Sequence, residues 1–207
     1  ISFVSEKDRG QTHAINKGIA YFSSLKLKAH ENTVFAYINS DDYYLPGAFS
    51  KVMTAFEENP QAQWVVGDAV IVNSSGSEIQ NSIRFYKRVW RSIFSFFVLS
   101  ILNPIPQPST FIRWQAIKNT GPFNEELRYV MDYEYWMRLL SKKLSPLMLK
   151  TALSSFRIHG DSKGGSQFEK QFAEELKVAR AMNANPLALA LHTLHNFLIV
   201  ISYKILK

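Results

Sequence analysis

The sequence contains no cysteine, and it has fewer acidic residues than basic ones. The absence of cysteine excludes disulfides, thiolate metal sites and cysteine nucleophiles, and it fits a reducing compartment. With 24 Lys and Arg against 17 Asp and Glu, the formal charge is +7, which favours anionic partners such as nucleotide phosphates, acidic lipid headgroups or nucleic acid. The sequence also lacks internal repeats and low-complexity linkers, and its hydrophobic content of 46% is typical of a folded chain.

The chain opens directly on a β-branched, strand-like pattern over residues 1–5, with no leader-like segment before it. We therefore expect a chain that is incomplete at its N-terminus.

Strand and helix patterns then alternate along the chain. Strands are predicted over residues 34–39, 64–72 and 145–157, and apolar residues at helical spacing lie between the first two. This alternation predicts an α/β fold with a mostly parallel sheet flanked by helices. Residues 166–207 are predicted to form a C-terminal helical segment.

Two adjacent carboxylates, Asp41 and Asp42, follow the strand predicted over residues 34–39. Neighbouring carboxylates repel each other, and ligands bind beyond the carboxyl ends of strands in parallel sheets. Oxygen ligands at such a position suit Mg²⁺ or Mn²⁺, completed by substrate phosphates. Alternatively, both residues only cap the helix entered at Pro46. The pair alone leaves both interpretations open.

Six segments of the chain resemble, in this order, motifs of glycosyltransferase family 2. They read SEKDRGQTHAINKG, FAYINSDDYYLPGAF, VVGDAVIVNSSG, QPSTFIR, GPFNEELRYVMDYEYWMRL and FRIHGDSK. The resemblance covers about residues 1–165. It implies the GT-A fold, related to the Rossmann fold, and transfer of a sugar from a nucleotide sugar with inversion, and it implies that the first strands of the family domain are missing.

The resemblance also implies roles on the donor side. The metal ion, Mn²⁺ or Mg²⁺, would be held by Asp41, Asp42 and His159. Asn39 stands where the family more often has an aspartate, and it is expected to contact the donor. The other residues expected at the donor are Asp8, Gly10, Gln11, Asn16, Arg157 and Lys163. For the loop before the first helix, the alternative is a polar cap on the helix N-terminus.

On the acceptor side the resemblance implies that Asp132, at the start of a predicted helix, is the general base. Glu134, Gln107 and Ser109 are expected to contact the acceptor. The alternative for both carboxylates is a favourable interaction with the helix dipole.

Two segments could contact a membrane. Arg84, Lys87, Arg88 and Arg91 fall on one helical face and precede an apolar run, as in helices that lie on anionic membranes. Residues 186–203 contain no Lys, Arg, Asp or Glu, and their length is borderline for spanning a bilayer. The alternative is that both segments pack on the catalytic domain or a second subunit. We expect a cytoplasmic chain, either free or attached to the inner face of the plasma membrane.

These expectations combine into a metal-dependent hexosyltransferase of cell-surface polysaccharide synthesis. Its donor would be a UDP-, GDP- or dTDP-sugar, and its acceptor a glycan or a lipid-linked saccharide. The alternative is a non-catalytic glycosyltransferase-like module that binds glycan or protein. The basic residues match no nucleic-acid recognition motif, so no nucleic-acid partner is expected.

Overall fold

The computed structural model describes residues 3–25, 33–158 and 168–205. Within them the chain forms an α/β fold, as the sequence predicts. The helices are α1 (Gln11–Ser24), α2 (Ala48–Glu58), α3 (Asn81–Ser92), α4 (Phe96–Ile101), α5 (Trp114–Thr120), α6 (Met131–Ser141), α7 (Phe168–Ala181) and α8 (Pro186–Ile205). The strands are β1 (Val34–Phe35), β2 (Tyr43–Tyr44), β3 (Trp64–Val72), β4 (Thr110–Arg113) and β5 (Leu147–Arg157), with a short 3₁₀ helix over Gln107–Ser109.

The five strands form one mixed sheet in the order β1-β4-β3-β5-β2. Among these strands, only β3 and β5 pair in parallel, while β1 with β4, β3 with β4 and β2 with β5 are antiparallel. The prediction of a mostly parallel sheet is therefore wrong. Apolar runs indicate that a strand is buried, but they do not encode the direction of its neighbours.

Two predicted strands are shorter than expected or absent. Residues 3–5 lie outside any strand, and of residues 34–39 only Val34 and Phe35 pair in the sheet. Beyond Phe35, the carbonyl of Tyr37 accepts a hydrogen bond from the Gln107 side chain at 2.8 Å. The chain thus leaves the sheet before it reaches the two carboxylates.

The parallel pair β3 and β5 forms the centre of the sheet, and the two strands approach closely at Gly67. A Cβ atom at this position would overlap the side chain of Leu153. The register between the strands shifts on either side of Asp68. We infer that the glycine permits this close, irregular contact.

Helices cover both faces of the sheet. On one face Trp64 stacks on Trp136 of α6 at 5.4 Å, and Val178 and Ala179 of α7 join the same core. On the other face Val52 and Phe56 of α2 pack in a second core against residues of β3, β4 and β5. Of the residues predicted for the site, Asp41 and Asp42 directly precede the edge strand β2, and Arg157 ends its neighbour β5.

Candidate functional site

A tight turn places Asn39 and Asp42 side by side. The backbone N–H of Asp42 donates to the carbonyl of Asn39 at 3.2 Å, and the Asn39 side-chain amide donates to Asp42 Oδ2 at 3.3 Å. The other oxygen, Asp42 Oδ1, accepts the backbone N–H of Arg157 at the end of β5 at 2.8 Å. Both oxygens of this buried carboxylate are therefore fixed in place.

The environment of Asp42 disfavours its charge. Burial raises its pKa, and the neighbouring Asp41 carboxylate raises it further. The hydrogen bonds from Arg157 and Asn39 and the charge of Arg157 lower the pKa but are outweighed. A divalent cation bound by this pair would offset the repulsion, and two carboxylates are a donor set that Mg²⁺ and Mn²⁺ accept.

Arg157, predicted to contact the donor, braces the loops around this turn. Its guanidinium donates from Nε to the Asp41 carbonyl at 3.0 Å and from Nη1 to the carbonyls of Asn73 and Ser74 at 3.2 and 2.8 Å. It thus holds the backbone of Asp41 beside the end of β3.

The N-terminus of α1 approaches the same turn. Gln11 Nε2 donates to Asn39 Oδ1 at 2.5 Å. Gly10 precedes the helix and has a φ of 126°. Its backbone N–H donates to Asp8 Oδ1 at 2.8 Å. Gln11 and Asn39 are therefore in contact, as expected of two residues facing one ligand, while Asp8 shapes the loop.

Asn16, also predicted at the donor, makes a different set of contacts. Its side chain donates to the Phe123 carbonyl at 2.9 Å and accepts the Phe123 N–H at 2.9 Å. It further donates to Glu125 at 3.0 Å. These bonds fasten α1 to the loop before α6, which is a structural role.

Asp132 lies in the first turn of α6, where the sequence predicts it. Thr12 of α1 contacts the sulfur of Met131, so the start of α6 lies against the start of α1. Burial raises the pKa of Asp132, although the Tyr133 N–H bound to its Oδ1 at 2.8 Å acts against this. A carboxylate with a raised pKa holds a proton more firmly, which suits a general base.

Sequence reasoning missed two ionisable partners of Asp132. Lys87 of α3 lowers the Asp132 pKa, and Glu175 of α7 interacts with both residues. The pKa of Glu175 is raised to about 7, mainly by burial and partly by the Asp132 charge, against the lowering effects of the Gln171 hydrogen bond and the Lys87 charge. A signal was present in the sequence, because Glu175 falls at helical spacing with the apolar residues Phe168, Phe172 and Ala179.

Glu174, the neighbour of Glu175, holds the segment that leads into α6. Its carboxylate accepts the backbone N–H groups of Arg128, Tyr129 and Val130 at 3.1, 2.7 and 3.1 Å. Helix α7 therefore fixes the position at which α6, and with it Asp132, begins.

The residues predicted on the acceptor side differ in position. Gln107 binds the Tyr37 carbonyl, and the charge of Asp132 raises the pKa of Tyr37 in addition to the effect of burial. Ser109 is fully buried and donates to the Asp68 carbonyl at 2.6 Å. Glu134 is buried and paired with Arg138 at 2.6 Å. Ser109 and Glu134 are thus bonded within the protein, with Ser109 fully buried and Glu134 only 7% exposed.

His159 and Lys163 lie outside the described residues. Within residues 3–25, 33–158 and 168–205, no three His, Asp or Glu side chains converge as a metal-binding group. Asp41 and Asp42 alone represent the predicted metal ligands in this part of the chain.

Three arginines of α3 converge on one buried carboxylate. Asp68 of β3, with 2% exposure, accepts Arg84 Nε at 2.8 Å, Arg88 Nη2 at 2.6 Å and Arg91 Nη2 at 2.5 Å. Burial alone would raise the Asp68 pKa, but these arginines hold it below its ordinary value. Arg84 and Arg91 of the face predicted to meet a membrane therefore bind within the protein, whereas the Arg88 side chain stays 47% exposed.

Comparisons with known proteins identify no relative: no family model matches the chain, and no curated protein matches its sequence. In the described part of the chain, no helix combines the length and apolarity required to cross a bilayer.

Proposed function

We propose that the chain is an inverting glycosyltransferase that uses a nucleotide-diphosphate sugar, with a GT-A-type arrangement around the turn that precedes β2. The observation that carries the proposal is the contact among three chain segments. The Asn39 to Asp42 turn, the start of α1 and the start of α6 are joined through the contacts of Gln11 with Asn39 and of Thr12 with Met131.

The donor would lie against the turn and the start of α1. Asn39 and Gln11 offer hydrogen bonds to sugar or nucleotide oxygens, and Asp41 and Asp42 would hold Mn²⁺ or Mg²⁺. When bound, the ion neutralises the charge of the diphosphate leaving group. His159 and Lys163 remain candidates to complete the ligand set and to contact the diphosphate.

Asp132 would act on the acceptor, a glycan or lipid-linked saccharide, near Gln107. Its carboxylate removes the proton of the acceptor hydroxyl while the hydroxyl oxygen attacks the anomeric carbon. The bond between that carbon and the diphosphate oxygen breaks, and the nucleoside diphosphate leaves with the electron pair. The raised pKa of Asp132 supports this assignment, since a base accepts a proton more readily when its pKa is closer to the working pH.

A panel of UDP-, GDP- and dTDP-sugars with Mn²⁺ tests the proposal. We expect release of one nucleoside diphosphate, slowed by about 10² to 10⁴ in the Asp132→Asn variant with donor affinity unchanged. Glu126→Gln, at an exposed position between Asn124 and Leu127, is the matched control. Full turnover by Asp132→Asn would contradict the role of this residue as base.

A second candidate is a non-catalytic glycan- or protein-binding module. Ser109 is bonded to Asp68 and Glu134 to Arg138, so two of the expected acceptor contacts are engaged within the protein. This observation favours the second candidate. Glycan binding without nucleotide binding or turnover would support this candidate instead.

A further inference from the structure

Helices α3, α4 and α8 present an unusual outer surface. Ten large apolar side chains on or next to these helices are exposed, and Phe85 reaches 65% and Phe197 58%. The others are Tyr86, Val89, Ile93, Phe97, Leu187, Leu191, Leu194 and Leu198. We call this set the apolar face. An exposed apolar face of several helices marks an interaction site more often than an ordinary surface.

Contacts between the helices make this face continuous. Tyr86 Oη and His195 Nε2 are 2.8 Å apart, which joins α3 to α8. Ala188 of α8 packs in a small core with Ile101 of α4 and with Leu102. His192 Nδ1 lies 3.1 Å from the Ser100 carbonyl, which fixes α8 to α4 a second time.

Helices α3 and α8 bury polar side chains and expose apolar ones, the reverse of an ordinary surface helix. Helix α8 buries His192 and Asn196 while Leu191 and Leu194 face outward. Helix α3 turns Arg84 and Arg91 toward Asp68 while Phe85 and Val89 face outward. Burying polar groups and exposing apolar ones is unfavourable in water. Both helices are therefore suited to an apolar environment on their outer side.

The charges beside this face are of one sign. The sequences of α3, α4 and α8 contain no Asp or Glu, and their charged residues are Arg84, Lys87, Arg88, Arg91 and Lys204. Glu175 and Asp132 act on Lys87, whereas Asp68 and Glu78, at 3.8 Å from Arg84, leave one of three guanidinium charges unbalanced, and the Arg88 side chain is 47% exposed. A helix is only about 10–12 Å across, so this excess charge lies near the apolar face.

We propose that the apolar face of α3, α4 and α8 docks onto an anionic lipid bilayer, with its large side chains in the interface between headgroups and acyl chains. A second copy of the chain would bring two cationic surfaces together, whereas anionic lipid is complementary to them. The helices lie along the bilayer surface, because α8 is fastened to α4 along one side. This inference goes beyond the proposed function and does not depend on it.

Vesicle flotation of the full chain tests the proposal without nucleotide or metal, so its outcome is separate from that of the glycosyltransferase assay. Vesicles of phosphatidylcholine are compared with vesicles that also contain phosphatidylglycerol. We expect strong binding only to the second kind, weakened by salt. The triple variant Phe85→Ser, Leu194→Ser, Phe197→Ser should bind at least about a hundredfold more weakly. Phe3→Ser, an exposed residue outside the three helices, is the matched control.

A charge variant covers the case in which the triple variant does not fold. Arg88→Gln should weaken binding to the anionic vesicles about fivefold. No binding to anionic vesicles, equal binding to both kinds, or equal binding by the variants would each overturn the proposal. A dimer in sedimentation experiments that the triple variant abolishes, without vesicle binding, would also overturn it and assign the face to a second copy.

Discussion

Asp68 and Asp42 are both buried aspartates, and the structure surrounds them in opposite ways. Asp68 accepts hydrogen bonds from three arginines, and its pKa is lowered. Asp42 accepts one backbone N–H and one amide, stands next to Asp41, and has a raised pKa. The first carboxylate already has its cations within the protein, whereas the second would gain from one supplied by a ligand. A buried acid therefore indicates a binding site when the protein balances its charge incompletely, as at Asp42, where Arg157 does not outweigh burial and Asp41.

The largest effect expected from this comparison concerns stability. Asp68→Asn leaves Arg84 and Arg91 without their counter-charge, and we expect it to lower the free energy of unfolding by about 3–5 kcal/mol. Asp42→Asn removes an unfavourable charge and should change stability by less than about 1 kcal/mol. Urea unfolding of both variants measures the difference. Equal losses of unfolding free energy in the two variants would show that the arginines around Asp68 do not make this site different from Asp42.

The second effect concerns pH. Glu175 has a pKa of about 7 in the folded protein against an ordinary value of 4.5, so the folded state binds its proton more tightly than the unfolded chain. Its stabilising contribution is therefore complete at pH values below about 4.5 and is lost as pH rises through about 7. In the wild type this titration lowers the free energy of unfolding by a few kcal/mol between about pH 4.5 and about pH 8, and Glu175→Gln should remove this decrease. Urea unfolding of both proteins at the two pH values measures it. If the free energy of unfolding of the variant differs from that of the wild type by the same amount at both pH values, the assignment is refuted.

A smaller effect is expected at Glu174. Glu174→Gln weakens the three hydrogen bonds to the segment before α6, and we expect a loss of about 1 kcal/mol in urea unfolding. Glu57→Gln on the exposed face of α2 serves as control and should be neutral. The loss should be accompanied by reduced turnover if α7 positions Asp132; reduced stability with full turnover would limit Glu174 to a structural role.

The sequence predicts some of these features and not others, for physical reasons. The strand Trp64–Val72 and the helix that begins at Met131 follow from apolar periodicity and from acidic residues in a first helical turn, and both predictions are confirmed. Strand direction is not encoded in such periodicity, so the parallel sheet was predicted wrongly. Similarly, the spacing of the basic residues predicts one face of α3, but the inward direction of Arg84 and Arg91 depends on Asp68, a residue of another element.

Pairing across long distances also limits the prediction of the site. Asp132 and Asp42 are recognisable as acids at element ends. In contrast, the electrostatic interactions of Lys87 and Glu175 with Asp132 require contact among α3, α6 and α7, and no local sequence pattern predicts that contact. Ser109 and Glu134 look like acceptor ligands in sequence, yet each is bonded within the protein.

Nucleotide binding tests the central claim most directly. UDP, GDP and dTDP are titrated into the protein in a calorimeter, first with Mn²⁺ and then with excess chelator. We predict that one nucleotide binds with Mn²⁺, that chelator abolishes this binding, and that Asp42→Asn weakens it at least about tenfold while remaining folded. Binding that persists unchanged in chelator, or a lack of binding for all three nucleotides, would contradict a metal-dependent donor site at Asp41 and Asp42.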